Sequence, residues 1–230
     1  MRRTKIVVPV MLTEPSDLER VNINDYEDVD LIEWRADFLS EEDILILAPQ
    51  FFEKFKDFKV LFTLRTVREG GNIQLSEKKY LALLQKILTY NPAYIDIEYF
   101  TRGRVLHQLG AFADKIVLSY HNFEEVPTDL TKRLLKMHQE KTAYVKVAVM
   151  PGHECDVLDL MQITRDLTLE YGGKFITMAM GELGRLTRIS GYLTGSCWTF
   201  ASLTAESAPG QLSLQHTRQI LDLLESDLTE

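Results

Sequence analysis

"IVVPVMLTEPSD", residues 6–17, decides which kind of α/β fold this chain builds. It opens as an apolar strand and runs into a polar turn. An open, doubly wound sheet normally follows its first strand with a glycine-rich turn that lets a phosphate approach the backbone. Residues 6–17 contain no such loop. Outward from this stretch, strand-like runs recur at 31–37 (LIEWRAD), 59–66 (KVLFTLRT), 94–99 (YIDIEY), 115–122 (KIVLSYHN), 144–150 (YVKVAVM), 175–181 (FITMAMG) and 196–202 (SCWTFAS). With 6–11 they number eight. Between most of them lie segments of helical period, such as "SEEDILILAPQFFEKF" and "DVLDLMQITRDLTLEYGG". Ser40, Ser76 and Thr128 stand where helix N-caps belong, and Gly172-Gly173 where a C-cap belongs. Strands alternating with helices call for a parallel sheet, and eight strands close a barrel. The expected fold is α/β, a (β/α)8 TIM barrel, in one domain over residues 1–230.

Composition narrows the function. The chain has 230 residues, 45% of them apolar, and a net charge of −8. No basic run stands out beyond Met1-Arg2-Arg3, which argues against nucleic acid and anionic membranes as partners. No apolar run is long enough to span a bilayer, and the start lacks a signal peptide's apolar core. Cys155 and Cys197 are the only cysteines. Their scarcity points to a reducing cytoplasm rather than a disulfide scaffold. No Cys/His set has zinc-like spacing. A cytoplasmic, metal-free protein is expected.

In a barrel, alternate strand residues point inward and chemistry gathers at the strands' C-terminal ends. Polar residues collect there. The second strand ends in Glu33-Trp34-Arg35-Ala36-Asp37, and the third in Arg65, with Glu69 just beyond. Asp96 and Glu98 lie on the fourth, His121 ends the fifth, and Arg185 and Arg188 follow the seventh. In "AYVKVAVM", residues 143–150, Val145, Val147 and Val149 share one face and Tyr144, Lys146 and Ala148 the other. Lysine is rarely buried unless paired or functional. Its bland reading is a salt-bridged barrel residue, with Asp96 and Glu98 as partners. Its functional reading is amine catalysis on a ketone. Burial disfavours the ammonium form, and a neutral amine attacks a carbonyl to form an imine. The protonated imine then acidifies the neighbouring C–H bond, and a nearby histidine moves the proton. His153, just past Pro151-Gly152, competes with His121 for that task. Arginines on the same rim suit an anionic, carboxylate-bearing substrate.

The motifs "EWRADF", "RTVREGG", "SYHNF", "YVKVAVM", "TMAMGELGRLTRI" and "ESAPGQ" follow one another in an order and spacing that resembles the type I 3-dehydroquinate dehydratases. The resemblance covers nearly the whole chain. It implies a (β/α)8 barrel, usually a homodimer, that needs neither metal nor organic cofactor and acts on 3-dehydroquinate. It also implies roles. Lys146 matches the imine-forming lysine, His121 the general acid/base, and Glu69 the carboxylate that orients it. Glu33, Arg35 and Arg65 match substrate-binding positions. Arg188, rather than Arg185, matches the arginine that grips the substrate carboxylate. Ser207 and Gln211 match a loop that closes over the site. Thr187 and Glu206 depart from residues common at their positions, without touching the chemistry. The first strand begins by about Lys5, which leaves little room for the N-terminal hairpin some relatives use to cover the barrel bottom.

Two rivals remain at this stage. A Schiff-base aldolase also carries a strand lysine inside a barrel, but "ESAPGQ" is not an obvious phosphate cradle. A catalytically silent barrel that binds a polyhydroxy acid would have little use for both His121 and Lys146.

Overall fold

The computed structural model describes residues 4–27 and 29–226. Met1-Arg2-Arg3 lies outside the described residues. Eight strands form one parallel sheet: β1 (Lys5–Val10), β2 (Leu31–Arg35), β3 (Val60–Thr63), β4 (Tyr94–Glu98), β5 (Ile116–Asn122), β6 (Tyr144–Val149), β7 (Phe175–Ala179) and β8 (Trp198–Phe200). The spatial order runs β7-β6-β5-β4-β3-β2-β1-β8, so sequence neighbours are sheet neighbours except at the β7–β8 seam. The helices are α1 (Asp17–Arg20), α2 (Glu41–Lys54), α3 (Glu77–Leu88), α4 (Tyr99–Gln108), α5 (Leu130–Gln139), α6 (Glu154–Tyr171), α7 (Gly191–Thr194) and α8 (Leu214–Glu225). The fold is the expected (β/α)8 barrel.

The seam between β7 and β8 is thin, and this shortens the eighth strand from the expected 196–202 to three residues. The Cys197 amide donates to the Phe175 carbonyl at 2.9 Å. Beside it a side chain replaces the ladder. Ser196 Oγ accepts from the Thr177 amide at 3.0 Å and lies 3.2 Å from the Thr177 carbonyl. Ser196 thus satisfies backbone groups of β7 that a longer β8 would have paired.

Alternation along each strand separates two cores. Outward-facing Trp34 stacks on Phe51 of α2 with ring centroids 4.2 Å apart, and Phe62 of β3 meets it edge-on at 5.3 Å. Inward-facing Val7, Leu31, Leu61, Val117 and Ile176 fill the lower barrel. The bottom, where no covering hairpin was expected, is plugged by aromatic rings. Tyr94, Tyr144 and Trp198 begin β4, β6 and β8, with centroids 4.4–5.4 Å apart.

Ser40 and Ser76 cap α2 and α3 through their side chains, as expected. Thr128 does not cap α5. Asp129 takes that position without a side-chain cap, because the chain leaves Pro127 through a turn one residue longer. Gly172 closes α6 at φ 85°, its amide donating to the Thr168 carbonyl. No helix among the described residues is long and apolar enough to cross a membrane.

Candidate active site

Lys146 is the centre of the upper barrel. Its Nζ lies 3.1 Å from Glu33 Oε1, 3.6 Å from Asp96 Oδ2 and 4.1 Å from the centroid of the Phe200 ring. These three neighbours come from β2, β4 and β8, so the even strands supply one layer around the amine, as barrel geometry requires. The expected pairing with Glu98 is not made. Glu98 instead accepts from the Thr66 amide at 2.7 Å, from the Thr66 hydroxyl at 2.6 Å and from Thr101 Oγ1 at 2.7 Å.

Arg65 follows β3 and anchors the carboxylates. Nη2 lies 2.8 Å from Asp96 Oδ1, and Nη1 lies 3.1 Å from Glu98 Oε1, 3.0 Å from Ser119 Oγ and 3.7 Å from Glu69 Oε2. Burial opposes its charge, but the carboxylates of Asp96, Glu98, Glu69 and Glu33 outweigh burial and raise its pKa further. Arg65 borders the cavity, yet its guanidinium is committed to the wall.

Glu69 and His121 form a pair. The same Oε2 accepts from the His121 amide at 3.0 Å and lies 2.9 Å from Nδ1. Burial, then Arg65, Lys146 and Arg35, push His121 well below the usual histidine range and keep the ring neutral. Burial and the nearby Glu98 and Asp96 carboxylates raise Glu69, against Arg65 and the His121 amide. The contact at Nδ1 leaves Nε2 without a protein partner among the described residues. The loop that carries Glu69 needs its glycines. Gly70 has φ 79°, and a Cβ on Gly71 would stand 2.1 Å from the Arg65 carbonyl oxygen.

A cavity of about 40 Å³ opens above Lys146, walled by Glu33, Arg35, Arg65, Glu69, His121 and Met178. Ser207 and Gln211 roof it. They hold each other: the Ser207 amide donates to Gln211 Oε1 at 2.8 Å, and Gln211 Nε2 donates to Ser207 Oγ at 3.0 Å. The loop is also tied down. Arg35 clasps Asp37 at 2.8 and 3.0 Å and donates to the Ser207 carbonyl at 3.3 Å. Arg188 donates to the Pro209 carbonyl at 2.9 Å, which also accepts from the Gly181 amide at 3.1 Å.

Arg188 is the one expected residue that does not border the cavity. It is buried behind Met178 and the loop, because its guanidinium reaches the Pro209 carbonyl instead. No carboxylate lies within ion-pair distance of it among the described residues, and its Nε has no partner. Burial lowers its pKa to about 10, opposed only by Glu206. Arg185 is exposed and lies 3.5 Å from Glu182. His153 is exposed too, capping α6 through Asp156 at 3.1 Å, so it stands apart from the cavity. Among the described residues no three His, Cys, Asp or Glu side chains gather as a metal site.

Asp37 and Ser119 lie inside the motifs EWRADF and SYHNF without a role having been expected of them, and Phe200 lies in none of the six. Inward register on β5 and β8 was the signal that could have found Ser119 and Phe200.

The family model described as Type I 3-dehydroquinase matches residues 6–227. The 3-dehydroquinate dehydratase of Lactococcus lactis subsp. lactis is 71% identical over 225 residues, 98% of this chain and 100% of that protein. That of Streptococcus equi subsp. zooepidemicus is 49% identical, covering 97% and 99% of the two chains. The crystal structure of the type I 3-dehydroquinate dehydratase of Clostridium difficile, with covalent modified comenic acid, superposes with a TM-score of 0.89 at 31% identity, over 98% of this chain and 94% of that one. At such identity over nearly the full length, the chain belongs to the type I 3-dehydroquinase family.

Proposed function

We propose that this chain eliminates water from 3-dehydroquinate to give 3-dehydroshikimate through an imine on Lys146. One observation carries the reading. A buried amine forms the floor of a cavity whose wall presents a histidine with Nδ1 held and Nε2 free.

Glu33, 3.1 Å from Nζ, accepts the proton that the ammonium must lose before it can attack. The neutral amine adds to the ketone, and loss of water leaves a protonated imine. His121 Nε2 removes the C2 proton, and the C–H electron pair flows into the iminium to give an enamine. The enamine returns that pair and expels the C1 hydroxyl, which His121 protonates so that it leaves as water. Hydrolysis of the imine consumes one water, releases the conjugated enone and restores Lys146. Glu69 holds the histidine ring and accepts Nδ1–H while Nε2 carries the proton.

Glu33, Arg35 and Arg65 supply polar groups to the substrate ring, Arg65 chiefly by ordering the carboxylates around it. Arg188, free of a carboxylate partner, is suited to the substrate carboxylate once the Pro209 carbonyl gives way. Ser207 and Gln211 roof the cavity above Lys146, so in this reading the roof lifts to admit a six-membered ring bearing a carboxylate and hydroxyls. The reading includes a single catalytic domain over residues 1–230, a homodimer, and a cytoplasmic setting consistent with the free cysteines Cys155 and Cys197.

The test is borohydride treatment in the presence of 3-dehydroquinate, alongside an absorbance assay for the enone. We expect inactivation and a reduced adduct on Lys146 by mass spectrometry. No adduct, or one on another lysine, would sink the assignment. Carbon–carbon cleavage in place of water loss would move the chain to the aldolases.

A further inference from the structure

Two carboxylates face the Lys146 amine, and their surroundings differ. Glu33 borders the cavity, and its Oε1 already accepts from Thr63 Oγ1 at 2.9 Å. Asp96 does not border the cavity and is fully buried. Its Oδ1 takes the Ser119 hydroxyl at 2.6 Å and the Arg65 guanidinium at 2.8 Å. Its Oδ2 has no hydrogen-bond partner among the described residues, and it looks at Nζ from 3.6 Å. A buried carboxylate oxygen left without a donor is costly, and native structures keep such groups for a reason.

The number of N–H groups on Nζ supplies the reason. An ammonium has three and can serve both carboxylates. A protonated imine has one. The substrate carbon must come from the cavity, on the side that Glu33 borders, so the remaining N–H is turned towards the wall. There the acceptor without another donor is Asp96 Oδ2.

We propose that Asp96 is the counter-ion of the imine on Lys146, a positioning residue that keeps the iminium protonated and its N–H turned from the substrate while Glu33 handles protons on the cavity side. This rests on the Schiff-base reading above. It assigns the two acids different work, although both stand close to one amine. Other charges face the pair. Arg65 and Glu98 flank Asp96, and Glu69 and His121 lie across from it. Arg65 is shared among these carboxylates and Asp96, so Asp96 remains the charge nearest the imine on its buried side. From α3 the Tyr80 hydroxyl reaches the Asp96 carbonyl oxygen at 3.4 Å, away from the carboxylate.

The experiment compares wild type with Asp96→Asn and Glu33→Gln over a pH series. Asp96→Asn preserves shape and removes the charge. An opposite charge at this range moves a pKa by about 1–3 units, so the alkaline limb of kcat should shift down by that much. Borohydride trapping, which reads the protonated imine, should fall off over the same lower pH range, with KM changed less than kcat. Glu33→Gln should slow imine formation and leave the alkaline limb in place. If Asp96→Asn does not fold, Asp96→Ser carries the same expectation. An Asp96 variant whose kcat falls with the limb unmoved would show a merely structural residue and overturn the proposal. An alkaline shift in Glu33→Gln alone would transfer the role to Glu33. Absence of any Lys146 adduct in wild type would remove the Schiff-base reading itself, and the two failures are told apart by the protein in which they occur.

Discussion

Leu31, Tyr94, Tyr144 and Trp198 face inward low on the even strands; two residues further along the same strands stand Glu33, Asp96, Lys146 and Phe200. The separation is a single pleat repeat, about 6.6 Å. Below, three aromatic rings close the barrel with no charge among them. Above, an amine, two carboxylates and a guanidinium neutralise one another behind a wall of protein. The backbone is common to both layers, so their difference is entirely one of side chains. The lower layer supplies apolar burial that stabilises the barrel. The upper layer gives up that burial for charges that are costly to bury and are held only because each finds partners. Stability and chemistry are thus stacked along the barrel axis, and substitutions in the two layers should have opposite signatures.

The largest effect belongs to the upper layer. His121→Ala should cut turnover by ~10²–10⁴-fold, the usual contribution of a positioned acid/base. Borohydride trapping on Lys146 should persist, because the amine and its carboxylates are untouched. Thermal unfolding should change little. Turnover near the wild-type rate would mean that another group moves the proton and that the Glu69–His121 pair is an ornament of the wall.

The counterpart is Trp198→Ala. Removing a buried indole from the bottom plug should cost about 3–5 kcal/mol in denaturant unfolding, the range for large aromatic truncations. The fraction that remains folded should turn over within a few-fold of wild type. A collapse of turnover with stability spared would show that the plug sets the geometry of Lys146 through Phe200, and the two layers would have to be treated as one.

Much of this arrangement is legible in the chain. Period-two alternation puts Lys146 on the inward face of β6, and the same pleat turns Trp34 outward between Glu33 and Arg35 on β2. "EWRAD" therefore announces two inward charges around an outward ring. The partners were less legible. Glu98 and Asp96 share a face, and alternation alone cannot tell which reaches the amine. The choice is made by Thr66 and Thr101, which hold Glu98 at the end of β4. Arg188 was placed on the substrate by resemblance, while its position depends on a loop carbonyl that no periodicity encodes. The short β8 was hidden for the same reason: Ser196 pairs with β7 through a side chain, and strand patterns report only backbone ladders.

The smallest effect concerns the roof, residues 203–211. Its small and polar residues offer little apolar burial to hold it shut, yet the structure ties it through three carbonyl contacts and the Ser207–Gln211 pair. Two of those contacts come from Arg35 and Arg188, two of the three arginines expected to meet the substrate. On the proposed reading, binding would be an exchange: the substrate's anionic and hydroxyl groups would replace loop carbonyls on Arg188, and the loop would regain donors and acceptors from the ligand. Gln211→Ala breaks the pair that spans the roof and leaves both arginines in place. A single hydrogen bond is worth about 0.5–1.5 kcal/mol net, so ligand binding should weaken by roughly 2- to 10-fold with unfolding hardly altered. Hydrogen exchange at 203–211 should be intermediate in the free enzyme, reflecting the ties, and slow further with product bound. The variant should exchange faster in both states. Protection equally strong with and without ligand would mean that the roof is a fixed wall, and substrate would then have to enter elsewhere, as past Phe123 and Gly70, which also border the cavity.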